Sequence, residues 1–205
     1  TPKPSSAASD VYKRQIFSTA VFAQDLVYIV KPGDTLWKIA VANQTGLSEL
    51  IAKNPQLANP NLIYPGNKVN IPNMNDTKAA EAEVIRLVNV QRSQNGLPPL
   101  AANWQVGRIA RYKSQDMINK HYFSHISPTY GSPFNMMENF GINFSAAGEN
   151  IAMGQRTPAE VVNAWMNSPG HRANILNTSY TQLGVGLAKD SNGTCYWTQM
   201  FIKPM

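Results

Sequence analysis

Cysteine is all but missing. Among 205 residues there is one, Cys195, which excludes any disulfide within the chain. It lies in Thr194-Cys-Tyr-Trp-Thr-Gln-Met-Phe201, a run of β-branched and aromatic residues that reads as a strand. There it is expected as a small apolar side chain, since nothing nearby in sequence would activate a thiol. Charge is sparse at 15%. No block of five or more basic residues occurs, so there is no nucleic-acid footprint. No stretch reaches 18 apolar residues, and no membrane-spanning helix is expected after processing. A Ser or Cys nucleophile signature is also lacking. Histidine is limited to His121, His125 and His171.

What is present suits a globular protein: 43% of residues are hydrophobic, and the length allows one or two domains. The net charge of +6 is uneven. Residues 24–76 hold four lysines and four acids, whereas residues 77–205 hold eleven Lys/Arg against seven acids. A mildly basic second part suits an anionic cell envelope. At the front, Ile16-Phe-Ser-Thr-Ala-Val-Phe-Ala23 resembles the end of a signal-peptide apolar core, with Val21 and Ala23 before a cleavage point. Thr1–Gln15 has no initiator Met and reads as a translated sequencing or cloning scar. A genuine leader is the rival reading. Residues 1–23 are set aside from the fold.

The first module spans residues 24–73. A short strand at Val27–Val30 leads into the turn Lys31-Pro-Gly-Asp-Thr35, where Asp34 or Thr35 can cap a helix. Leu36, Ile39 and Ala40 give that helix an apolar face. A second helix starts at Leu47 and ends at Asn54-Pro55. A turn-rich loop, Asn59-Pro-Asn-Leu-Ile-Tyr-Pro-Gly66, precedes a closing strand at Lys68–Ile71. Residues 74–79 read as a short polar linker.

Residues 80–205 read as a second domain: helices first, then strands, which argues α+β layering. Helices are expected over 78–94, 103–120 and 132–137, and a hairpin over Leu183–Ala188 and Thr194–Ile202. Between them, Thr157-Pro-Ala-Glu160 is a capping box, and Val161, Val162, Trp165 and Met166 form one helix face. Ser168-Pro-Gly breaks that helix and starts a short one, with Ser168 as its cap and Pro169 at its first position. His171 then falls in the first turn, where the helix end favours a neutral imidazole. Such an imidazole suits metal binding or proton acceptance, or simply a hydrogen bond to a loop. His121-x-x-x-His125 would share one face only if the stretch were helical, and it lacks the glutamate of a zincin motif, so His121 weighs little as a site residue.

Both parts resemble known families. The first is similar to LysM modules through Tyr28-x-Val30, Pro32-Gly-Asp-Thr-Leu-Trp-Lys-Ile-Ala40, Asn54-Pro55, and Asn61-Leu-Ile-Tyr-Pro-Gly66 running to Ile71-Pro72. That resemblance implies a βααβ fold binding N-acetylglucosamine polymers, peptidoglycan or chitin-like. The implied groove is formed by Gly33, Asp34, Thr35 and Leu36 on one loop, and Asn61, Leu62, Ile63, Tyr64, Pro65 and Gly66 on the other. Leu36, Ile63 and Pro65 would pack on the N-acetyl methyl.

The second part resembles the CAP superfamily, also called SCP-like or pathogenesis-related 1, in its bacterial extracellular branch. The residues are Phe123-Ser-His125, Gly148-Glu-Asn-Ile-Ala152, Trp165-Met-Asn-Ser-Pro-Gly-His-Arg172, Leu183-Gly-Val-Gly186 and Tyr196-Trp-Thr-Gln-x-Phe201. The implied fold is an α-β-α sandwich with a central cleft. His125, Glu149 and His171 match three of the four cleft positions of eukaryotic members; Ser168 replaces the second glutamate. The three imply a site for a divalent cation such as zinc, with Glu149 as ligand or as base for a bound water. A polar cluster that only holds the cleft walls is the alternative.

Two function classes follow. One is a secreted, wall-associated protein held on glycan by LysM, with a CAP cleft that binds without catalysis. The other is a metal-dependent extracellular hydrolase acting on peptide or wall polymer. The missing acid at Ser168 and the absent nucleophile signature weigh toward binding. Lipid binding, a third possibility by analogy, has no sequence signal. No nucleic-acid partner is expected, nor a membrane one after signal-peptide removal.

Overall fold

The computed structural model describes residues 25–205; the leader and signal-peptide reading at residues 1–23 lies outside them. Strand β1 (Leu26–Ile29) pairs antiparallel with β2 (Lys68–Ile71), and helices α1 (Leu36–Ala42) and α2 (Leu47–Ala52) lie between them in sequence. Thr35, not Asp34, caps α1: its Oγ1 accepts from Lys38 N at 3.1 Å. Val30, Leu36, Ile39, Ala40, Leu50, Val69 and Ile71 form a small core of their own. Asn54 ties α2 to β2, donating to Leu50 O and Asn70 O and accepting from Asn70 N.

The linker expected at 74–79 is replaced by helix. Only three residues separate the end of β2 from helix α3 (Asn75–Gln94). The polar residues that suggested a linker are the exposed first turn of a helix, where Asp76 complements the dipole. Lys78 Nζ reaches back to Asn43 O at 2.7 Å, and Arg108 Nε meets Glu49 Oε1 at 3.1 Å, so the two domains touch.

The second domain has α3, β3 (Ala101–Ala102), α4 (Trp104–Asn119), α5 (Pro133–Asn139), β4 (Phe144–Met153), α6 (Pro158–Met166), α7 (Pro169–Ile175), β5 (Gln182–Lys189) and β6 (Cys195–Pro204). The sheet order is β3-β5-β6-β4, so β4 is an edge strand. Strand alternation splits the core in two. Leu183, Val185, Leu187, Trp197 and Phe201 face α3, α6 and α7 through Val84, Val88, Val161, Val162, Trp165 and Ile175. Met200 and Ile202 face α4 and α5 through Val106, Ile109, Met136 and Met137. The result is the α-β-α sandwich in three layers.

Close approach of α4 to the sheet depends on two glycines. A Cβ on Gly184 would strike the backbone of Gly107, and one on Gly186 the backbone of Arg111. Buried Arg92 clamps α3 to the end of α7, donating to Pro98 O, Ile175 O and Asn177 O. Cys195 is buried in the core beside Trp197, as its strand reading implied.

Candidate functional site

His125 lies on the loop after α4. That helix ends before His121, whose φ of +54° turns the chain out of it. The condition for His121 and His125 to share a face, a helix running through both, is therefore not met, in keeping with the helix end expected near residue 120. The loop is fixed from below by two side chains of α4. Asp116 accepts from Tyr122 Oη, Ser127 Oγ and Thr129 Oγ1, each at 2.6 Å. Burial pushes its pKa up, but these hydroxyls and Lys113 outweigh that and hold it below the usual carboxylate value. Lys113, also buried, donates from Nζ to His125 O at 2.7 Å and lies 5.0 Å from the Tyr122 ring centre. Burial lowers its pKa, against the pull of Glu149 and Asp116.

Glu149 projects from β4 on the α4 side, and its Oε1 meets His125 Nδ1 at 2.7 Å. The carboxylate is 1% exposed while the imidazole bonded to it is 52% exposed, so Glu149 lies buried beneath a half-exposed His125. The other oxygen, Glu149 Oε2, is buried with no partner among the described residues. Burial raises the Glu149 pKa; the His125 bond and the Lys113 charge oppose this. The same bond raises the His125 pKa, against burial.

His171 enters from α7, which is laced to β4 by amides. Asn150 Nδ2 donates to His171 O at 3.1 Å, and Asn174 Nδ2 donates to Glu149 O and Asn150 Oδ1. The pKa of His171 is lowered, first by burial and then by the charge of His125, so the two rings are electrostatic neighbours. The neutral bias expected from the helix end is thus present, with these causes. Ser168 holds the capping position ahead of Pro169, yet its hydroxyl makes no capping bond.

His125 and Glu149 are in direct contact, and His171 is near enough for the charge of His125 to lower its pKa. Among the described residues, however, no group of three or more His, Cys, Asp or Glu is placed to hold a metal ion. Glu149 Oε1 is engaged by His125, so the three-ligand set implied by resemblance is not assembled in this arrangement. What remains is His125 Nε2 and the His171 ring, with Glu149 as the partner that orients His125. Lys113, Asp116, Asn150 and Asn174 escaped the sequence reading. The signal for the first two was available: charged residues on α4 at helical spacing with Ile109 and Met117.

A second candidate site lies in the first domain. A groove of about 250 Å³ runs between the loop carrying Asp34, Thr35 and Leu36 and the loop carrying Asn61, Leu62 and Ile63. Of the ten residues expected there, these six line it; Gly33, Tyr64, Pro65 and Gly66 do not. Leu36 is buried in the core, so its side chain is not a platform for a ligand. Trp37, 58% exposed and in the lining, offers that platform instead. Asp34 serves its own turn: its Oδ2 accepts from Lys31 N and Tyr28 Oη at 2.8 Å each, which holds its pKa down.

Residues 85–201 match the family model "CAP: Cysteine-rich secretory protein family", and residues 28–72 match "LysM domain". The uncharacterized protein YkwD of Bacillus subtilis is 55% identical over 124 residues, 60% of this chain and 47% of that protein. The uncharacterized membrane protein YlbC of the same organism is 36% identical over 148 residues, 69% of this chain and 41% of its own. The chain thus spans less than half the length of either curated relative. Among solved structures, an extracellular SCP-domain protein from Bacillus anthracis aligns with a TM-score of 0.59 at 34% identity. The alignment covers 68% of this chain and 47% of that one.

Proposed function

Starting from a chain that belongs to the cysteine-rich secretory protein (CAP) family and carries a LysM domain ahead of its CAP domain, we propose a secreted, wall-associated protein. It binds peptidoglycan, or chitin-like N-acetylglucosamine polymer, through LysM. Among the described residues no helix is long and apolar enough to cross a membrane. The observation that carries the reading is the groove between the two loops, with an exposed indole at Trp37 and side-chain amide chemistry at Asn61. An apolar ring face beside hydrogen-bonding groups is what a pyranose needs. Residues 24–76 balance four lysines against four acids, so attraction by bulk charge does not account for binding. The full chain should therefore sediment with purified peptidoglycan even in 0.5 M salt, where screening acts over about 4 Å. Trp37→Ala should weaken it at least tenfold, about 1.4 kcal/mol. Loss of all sedimentation of the unaltered chain in salt would refute specific glycan contact.

In the CAP cleft, His125, Glu149 and His171 serve a ligand site, and noncatalytic binding is the first reading. The second, a metal-dependent hydrolase acting on peptide or wall polymer, is supported by the neutral bias of His171 and by the unpartnered Glu149 Oε2. For that reading His125 Nε2 and His171 would hold the ion, and they fall one short of the three protein ligands of a catalytic zinc site unless Glu149 leaves His125. Bound there, such an ion would supply an acidified water. Calorimetric titration with Zn²⁺ tests this: saturable heat in the unaltered protein that disappears in His171→Ala supports a metal site, and equal heat in both removes it.

A further inference from the structure

On the far side of Leu62 from the first groove lies a second, open one of about 760 Å³, lined in part by Leu57, Asn59, Tyr64, Asn67 and Lys68. Leu62 lines both, so the two grooves meet at its side chain. Tyr64 is 57% exposed and Leu62 53%, which makes a small apolar ridge and a flat ring beside it. Isolated exposed apolar residues are ordinary. This pair differs because its surroundings are built for hydrogen bonding. Asn59 and Asn67 use their carbonyl oxygens inside the loop, accepting from Asn61 N at 3.0 Å and Tyr64 N at 2.8 Å. Their NH₂ groups have no partner among the described residues. The second of those bonds also fixes the Tyr64 backbone, which sets the point from which its ring projects. No acid lines the groove, and Lys68 is its only charge.

An exposed aromatic face, amide donors and no carboxylate match a neutral pyranose. Its C–H face stacks on the ring, while its hydroxyl and acetamido oxygens accept from the amides. We propose that this groove is a further sugar subsite, which continues an N-acetylglucosamine chain from the first groove across Leu62 onto Tyr64. The proposal rests on the glycan reading of the first groove. It makes the LysM domain select for chain length: a short oligomer fills one groove, and a long one fills both.

The test is calorimetric titration of the full chain with a chito-oligosaccharide trimer and an octamer. The unaltered protein should bind the octamer more tightly than the extra binding frames of a longer chain explain. Tyr64→Ala should remove that excess, a loss of at least fivefold for the octamer, and leave the trimer unchanged. Equal octamer affinity in both proteins, with trimer binding intact, overturns the second subsite and leaves the first standing. Failure of the unaltered protein to bind either oligomer overturns the glycan reading and this proposal with it. An amide-resolved NMR spectrum provides a check without mutation. The backbone amides of Leu57 and Lys68 should shift with saturating octamer and not with trimer; amides that stay still with both refute the subsite even if Tyr64→Ala disturbs its loop.

Discussion

At the scale of single residues, two imidazoles of one cleft are tuned in opposite directions. His125 is raised by its bond to Glu149, and His171 is lowered by burial and by His125. NMR titration should place His125 above the ordinary value of about 6.5 and His171 below it. Glu149→Gln should bring His125 down, because a neutral amide does not favour imidazolium as a carboxylate does. The effect on stability has a definite sign. The His125 contribution is complete below about 6.5 and is lost as pH rises through its raised folded value. The His171 contribution is complete above about 6.5 and is lost as pH falls through its depressed value. Between the two folded values, one ring carries a proton and the other is ready to accept one, the separation that acid–base pairs require. His125, Glu149 and His171 were legible as candidates because each sits in a motif carried by family resemblance. The bond between His125 Nδ1 and Glu149 was not, since no sequence spacing links a loop to a strand 24 residues on.

At the scale of elements, the sheet and its helices depend on matched surfaces. Trp165 on α6 is fully buried, with Nε1 donating to Ile151 O at 3.3 Å. Trp165→Ala should cost about 3–5 kcal/mol, read as the shift of the denaturant midpoint at constant slope. Gly186→Ala on β5 tests the opposite fault, too much volume. The added methyl meets the backbone of α4, which cannot swing aside as a side chain can. A loss of about 1–3 kcal/mol or more is expected in the same measurement. These elements were readable from periodicity and caps. Half of the capping box expected on α6 forms: Glu160 N donates to Thr157 Oγ1, but the Glu160 carboxylate accepts from Arg156 N, one residue ahead of the cap. What escaped had weak local signal. Strand β3 is two alanines joined to β5 by register alone. The start of α3 looked like linker because its first turn is polar and solvated, and only its docking against the first domain makes it part of the body.

At the scale of the whole molecule, two cores are joined by little buried surface chemistry. The LysM core shares no residue with the two CAP clusters. The bridge between Arg108 and Glu49 is partly exposed, and such pairs are worth about 0–1 kcal/mol. Scanning calorimetry should therefore resolve two transitions, with the smaller LysM domain unfolding first. Glu49→Ala should move the CAP transition hardly at all; a single transition for the whole chain would show stronger coupling than these contacts provide. The joint is nevertheless short, since α3 follows β2 after three residues and Lys78 reaches back across it. A joint without slack has a kinetic meaning once glycan fills the LysM groove. In the proposed wall-bound state, the CAP domain reaches only the glycan beside the LysM foothold, because the three residues between β2 and α3 leave no tether between the two domains. How long each such patch is sampled is then set by how long that LysM contact lasts.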